Sequence, residues 1–224
     1  MYSTGIKKFD EILNGGFPDK SLVMVIGGPE TGKEVLTYQF IQEGLKNGES
    51  AFYIFGEKRD DILLEEFRSY NLNVEPYLGK NLVFYDADSM SSKEGFVNVN
   101  IKELYTISHA IRDFLGQHAD QKVRGVIGIA SQAMIIHEFM DFYQFINDLR
   151  KLFIQYGCCV MLPVELGMHD QKTIVSLEHL CDGIIELSTG EISYIAKIKK
   201  MRGKQITLQG YPYWISNKGF EFLD

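Results

Sequence analysis

The chain has 224 residues, 45% of them hydrophobic and 24% charged, with a net charge of −7. That is enough apolar material for a single domain with a sizeable core, and it excludes a disordered chain. The acidic balance argues against broad nucleic-acid binding, and Cys158, Cys159 and Cys181, an odd count without CxxC spacing, against a disulfide framework or a zinc site.

Ile6, Phe9, Ile12 and Leu13 recur at near-helical spacing within residues 3–17 and stop at Asn14-Gly15-Gly16, which predicts a short helix ended by a glycine turn. The apolar run 21–26 predicts a buried parallel strand, and residues 35–45 a helix. A second strand is expected at 51–55, a helix at 60–69 and a third strand at 82–86. Residues 87–99 are polar and irregular, followed by a helix at 101–115, a strand at 123–130, a helix at 140–156 and a strand at 158–164. Such alternation predicts a parallel sheet with helices on both faces. The last third changes character: 183–187, 192–199 and 213–215 read as strands joined by short turns, a β-rich, largely antiparallel extension of the same sheet. No apolar h-region opens the chain and no run of about 18 apolar residues occurs, so a reducing cytoplasm is the expected setting.

Between the first strand and the next helix lies Gly27-Gly28-Pro29-Glu30-Thr31-Gly32-Lys33-Glu34. Strand, Gly-x4-Gly-Lys, helix is the phosphate-binding P-loop arrangement, in which backbone N–H groups and the lysine cradle phosphates. The last position of that motif is ordinarily Ser or Thr, a Mg²⁺ ligand. Here it is Glu34, and Glu30 adds a second carboxylate. A carboxylate about 4 Å from a phosphate costs on the order of a few kcal/mol at an effective dielectric near 20. Hydrolysis also needs an acid at the end of the fourth strand, yet no Asp or Glu lies between Asp120 and Glu138, and Gly128 occupies the expected place. A general base is expected just after the second strand, where the chain reads Gly56-Glu57, making Glu57 the catalytic candidate.

These motifs resemble KaiC-like proteins, RecA-superfamily P-loop ATPases, nearly end to end. The resemblance is carried by residues 3–13 and 39–44 flanking the loop, by 178–187, by Lys200-Met201-Arg202-Gly203, and by 211–219. It implies a RecA-like α/β fold that often assembles into hexamers with ATP between subunits. It also implies that Lys200 and Arg202 reach the γ-phosphate held by a neighbouring subunit. Position by position, relatives usually carry Thr or Ser at 34, Glu at 56 and 57, and Asp at 128. This chain has Glu34, Gly56 and Gly128, so three positions of one mechanism are altered together.

One expectation is therefore a non-hydrolysing module that works by homo-oligomerisation, by assembly with a related subunit, or by binding a protein partner. ATP or ADP is then a weak ligand at most, and the Mg²⁺ position is open. The other is an ATPase with rearranged ligands, Glu34 holding Mg²⁺ and Glu57 acting as base. Strand binding by the basic run 197–204 with Tyr211, Tyr213 and Trp214 is a third reading, against which core packing of those aromatics is weighed. His169, Asp170 and His179 lack ligand spacing and are read as structural or solvated.

Overall fold

The computed structural model describes residues 1–88 and 91–223. Strand β1 (Ser21–Gly27) is buried along its whole length. It pairs in parallel with β6 (Cys159–Glu165) on one side and β7 (Gly183–Thr189) on the other. Side chains alternate across it: Val23 and Val25 enter the core on one face, Leu22, Met24 and Ile26 the core on the other. Beyond β6 come β5 (Val123–Ile127), β2 (Ser50–Phe55), β3 (Leu82–Asp86) and β4 (Phe96–Asn98), all parallel. Beyond β7 the chain turns antiparallel through β8 (Tyr194–Met201), β9 (Gly210–Ser216) and β10 (Gly219–Phe222). The result is one ten-stranded sheet, ordered β10-β9-β8-β7-β1-β6-β5-β2-β3-β4. A mostly parallel sheet with an antiparallel C-terminal extension is the architecture the sequence predicts.

Helices cover both faces. On one lie α1 (Lys7–Ile12), α2 (Lys33–Lys46) and α3 (Asp60–Ser69); on the other α4 (Leu104–Gln117), α5 (Ala130–Ile136), α6 (Phe139–Tyr156) and α7 (Gln171–Leu180). The structure departs from the predicted elements in places. The helix expected within 3–17 is limited to α1. The strand expected over 123–130 ends at Ile127, and α5 begins at Ala130. Helix α7 was not expected; Asp170 caps it by accepting from the Thr173 backbone N–H at 2.9 Å. Of the stretch read as irregular, 87–99, residues 96–98 form β4, while 89 and 90 lie outside the described residues.

Helix α2 is buried nearly all round, including Gln39 and Gln42. The sheet covers one side and the C-terminal hairpin another: Gln39 Oε1 accepts from the Phe220 backbone N–H at 2.8 Å. Gly44 lets the helix pass over β5, because a Cβ there would overlap the Arg124 guanidinium. Arg124 is fully buried and pairs with Glu49, its Nε 2.7 Å from Oε2. Among the described residues, no helix is long and apolar enough to cross a membrane.

Candidate functional site at the phosphate-type loop

The loop leaves the C-terminal end of β1 and enters α2 through Gly32, whose φ of +70° and ψ of 26° are left-handed. Only glycine adopts this at little cost, and the Ile215 side chain of β9 occupies the space a Cβ would need. The Gly28 carbonyl is the internal brace. It accepts from the Thr31 backbone N–H at 3.2 Å, from Thr31 Oγ1 at 2.7 Å and from Lys33 Nζ at 3.3 Å. Pro29 and Glu30 sit at the exposed tip.

Sheet register brings in a residue the motif does not contain. Gly27 of β1 lies opposite Glu165, the last residue of β6. Glu165 Oε2 is 2.7 Å from Lys33 Nζ, and Glu34 Oε1 is 3.1 Å from the same nitrogen. The Lys33 side chain is only 4% exposed. Glu34 therefore points into the cleft rather than away from it, and one ammonium is shared by two carboxylates. The backbone N–H of Glu165 donates to Ser131 Oγ at 2.8 Å, which ties the end of β6 to α5.

The surrounding cleft has a volume of about 290 Å³ and is floored by Tyr38, Tyr53 and Phe55. Tyr53 Oη lies 3.1 Å from Thr37 Oγ1. Burial pushes the Tyr53 and Tyr38 phenols above their ordinary range, so both keep their protons at neutral pH. Beside them Lys58 Nζ pairs with Glu66 Oε2 at 2.7 Å, and the Tyr38 hydroxyl donates to the same carboxylate.

Gly128 and Gly56 have specific neighbours. A Cβ on Gly128 would sit 2.7 Å from the Ile54 carbonyl oxygen and 3.3 Å from Tyr53 Cε1. A Cβ on Gly56 would sit 2.6 Å from Asp88 Oδ2. That same oxygen accepts from the Glu57 backbone N–H at 2.8 Å. Glu57 has a positive φ of 60° and stands exposed at the cleft mouth.

Lys200 and Arg202 lie elsewhere. The antiparallel β7–β8 register sets them near the start of β7, at the end of the sheet opposite the loop. Lys200 Nζ donates to the Cys181 and Glu178 carbonyls at 2.6 and 3.2 Å. Arg202 donates to the Asp19 and Lys20 carbonyls and pairs with Asp182 at 3.2 Å. Within one chain they do not meet the loop. Of the aromatics considered for strand binding, Tyr213 is buried and Trp214 exposed. His179 is exposed, and no metal-competent cluster of His, Cys, Asp or Glu occurs among the described residues.

Glu165, Asp88 and Tyr53 belong to no sequence motif. Glu165 had a usable signal: it is the first carboxylate after the buried run 158–164, and the C-terminal ends of parallel strands are where α/β sheets build sites. Asp88 and Tyr53 act through tertiary packing that no spacing encodes.

A family model described as "ATPase: KaiC" matches residues 2–224. The chain belongs to the KaiC family. A UPF0273 protein of Thermotoga maritima is 28% identical over 96% of this chain and 93% of its own. A UPF0273 protein of Pyrococcus horikoshii is also 28% identical, over 96% and 91% respectively. The crystal structure of a KaiC-like protein from Pyrococcus horikoshii superposes with a TM-score of 0.78 at 25% identity, covering 99% of this chain and 98% of the other. The RecA-like KaiC fold is thus shared throughout the chain.

Proposed function

We propose that this KaiC-family chain is a non-hydrolysing module that acts by association, with a protein partner or with another KaiC-type subunit. The observation that carries this reading is the Lys33 ammonium held between Glu165 and Glu34. An incoming phosphate must displace or face both carboxylates, each a repulsion on the order of a few kcal/mol at close range. The residues present do not fit a Mg²⁺–nucleotide complex. Glu34 is turned to Lys33, no acid stands at 128, and Tyr53 and the Ile54 carbonyl crowd the place where its side chain would start. Asp88 occupies the corresponding space at Gly56. On this reading Lys200 and Arg202, if they serve a nucleotide at all, serve one held by a neighbouring active subunit.

The test is calorimetry and phosphate release on purified protein. We expect no Mg²⁺-dependent ATP hydrolysis above the Lys33→Ala background. We also expect Glu34→Thr combined with Glu165→Gln to tighten ATP binding by at least about tenfold, or about 1.4 kcal/mol. A robust Mg²⁺-dependent rate abolished by Lys33→Ala overturns the reading. ATP affinity that needs Mg²⁺ and falls in Glu34→Gln would instead assign Glu34 as a metal ligand.

A further inference from the structure

The mouth of the cleft joins a negative centre to an apolar rim. The lining sets Glu34, Glu57 and Glu165 against Lys33 and Lys58. Lys33 is shared by Glu34 and Glu165, Lys58 is paired with Glu66, and among the described residues Glu57 takes part in no ion pair. Two acceptor oxygens, Glu165 Oε1 and Gln132 Oε1, are buried there without a hydrogen-bond donor. Such oxygens are costly to leave unmade and favour a ligand that brings N–H groups.

The rim follows from helix geometry. Ser131 and Gln132 line the cleft, so Ile135 and Ile136, four residues on, continue the same faces of α5 outward. Ile135 is 62% exposed and Ile136 46%. Past the end of β6, which is tied to α5, Leu166 and the cleft-lining Met168 are about half exposed. This rim is anchored, because Leu166 N–H donates to the Gly27 carbonyl at 2.9 Å and Glu165 N–H to Ser131. Exposed apolar groups around a charged centre are the layout of a docking site.

Resting on the non-hydrolysing reading above, we propose that this face binds a separate protein through a segment carrying a lysine or arginine flanked by apolar side chains. The basic head enters the cleft toward Glu165 and Gln132, and its flanks cover Met168, Leu166 and Ile136. Charge complementarity selects this occupant. The carboxylates of the cleft disfavour a phosphate-bearing occupant such as nucleic acid. Within the basic run Lys199, Lys200, Arg202 and Lys204 donate to their own chain, and occupation by a second copy is an outcome the test separates.

A short acetylated peptide with one arginine between leucines, and its glutamate counterpart, test this on the full chain by calorimetry and amide NMR. The arginine peptide is expected to bind, more tightly at low salt, and to shift amides within 131–136 and 165–168. Ile136→Ser and Glu57→Lys, both at exposed positions, are each expected to weaken it about tenfold. Absence of binding, equal binding of the glutamate peptide, or indifference to both variants overturns the proposal. Self-association dissolved by Ile136→Ser also overturns it, by assigning the face to a second copy. ATP binding is read separately, so a failure here leaves the nucleotide experiment to decide the catalytic reading.

Discussion

The Tyr213 hydroxyl donates to the Thr31 carbonyl at 2.6 Å, across 182 positions of chain, so the C-terminal hairpin holds the buried end of the phosphate-type loop next to Gly32. Tyr213 is itself clamped, its ring stacked on Phe220 at 3.9 Å and on Tyr194 at 5.3 Å. Ile215, two residues further along β9, packs on Gly32. Tyr213→Phe keeps the stack and removes one hydrogen bond, which costs about 1 kcal/mol. Urea denaturation reads that loss, and amide exchange within 28–33 should accelerate with it. Unchanged exchange in the loop would mean that the hairpin does not restrain it.

Gly128 is held against the β2 backbone, its N–H donating to the Ile54 carbonyl at 2.8 Å. A side chain there meets that same carbonyl, so Gly128→Ala should destabilise by about 1–3 kcal/mol through overpacking. Gly128→Asp adds a carboxylate beside Tyr53 and should be worse. Shrinking Tyr53 recovers only part of the loss, because the nearer obstacle is backbone. Restoring an acid at 128 alone is accordingly expected to yield no Mg²⁺-dependent ATPase. A stable Gly128→Asp protein with measurable turnover contradicts the crowding described here.

Much of this was legible from the residues alone. The buried runs at 21–26 and 158–164 announced central parallel strands because β-strands covered on both faces need no polar alternation. The Gly-x4-Gly-Lys loop announced its own position between strand and helix. Helix α5 was hidden because its seven residues follow directly on an apolar strand, with only Gly128 and Ile129 between. Helix α2 shows little amphipathic pattern because it is enclosed by the sheet and by a hairpin more than 170 residues away. At the site, the absence of Asp and Glu between Asp120 and Glu138 is plain in the sequence. The tertiary neighbours are not: Glu165 reaches Lys33 through strand register, and Asp88 reaches Gly56 from another strand's end.

Arg124 and Glu49 form a buried pair, and the guanidinium also donates to the Ser3 and Phe40 carbonyls while lying 4.4 Å from the Phe40 ring centre. This knot ties the N-terminal segment, α2 and β5 together. Glu49→Ala leaves Arg124 buried without its counter-charge and should cost about 3–5 kcal/mol. Replacing both residues by apolar ones of similar size should cost less than that single change. Denaturant midpoints for the single and double variants decide between these outcomes.

Cys158, Cys159 and Cys181 are buried free thiols, and burial pushes each up to about 12. At pH 8 they are protonated and shielded, so a disulfide reagent should leave native protein unlabelled and label all three thiols in denaturant. The same shift links to stability. The unfolded thiols titrate near about 8.5, and the folded state prefers the protonated form. Their stabilising contribution is therefore complete below that pH and is lost as pH rises through about 12. The urea midpoint should fall as pH rises from about 8.5, before the tyrosines begin to titrate near about 10. A variant with all three cysteines changed to alanine should show a flatter slope over that first interval. Rapid labelling of native protein at pH 8, or equal slopes in the two proteins, would place at least one thiol in contact with water.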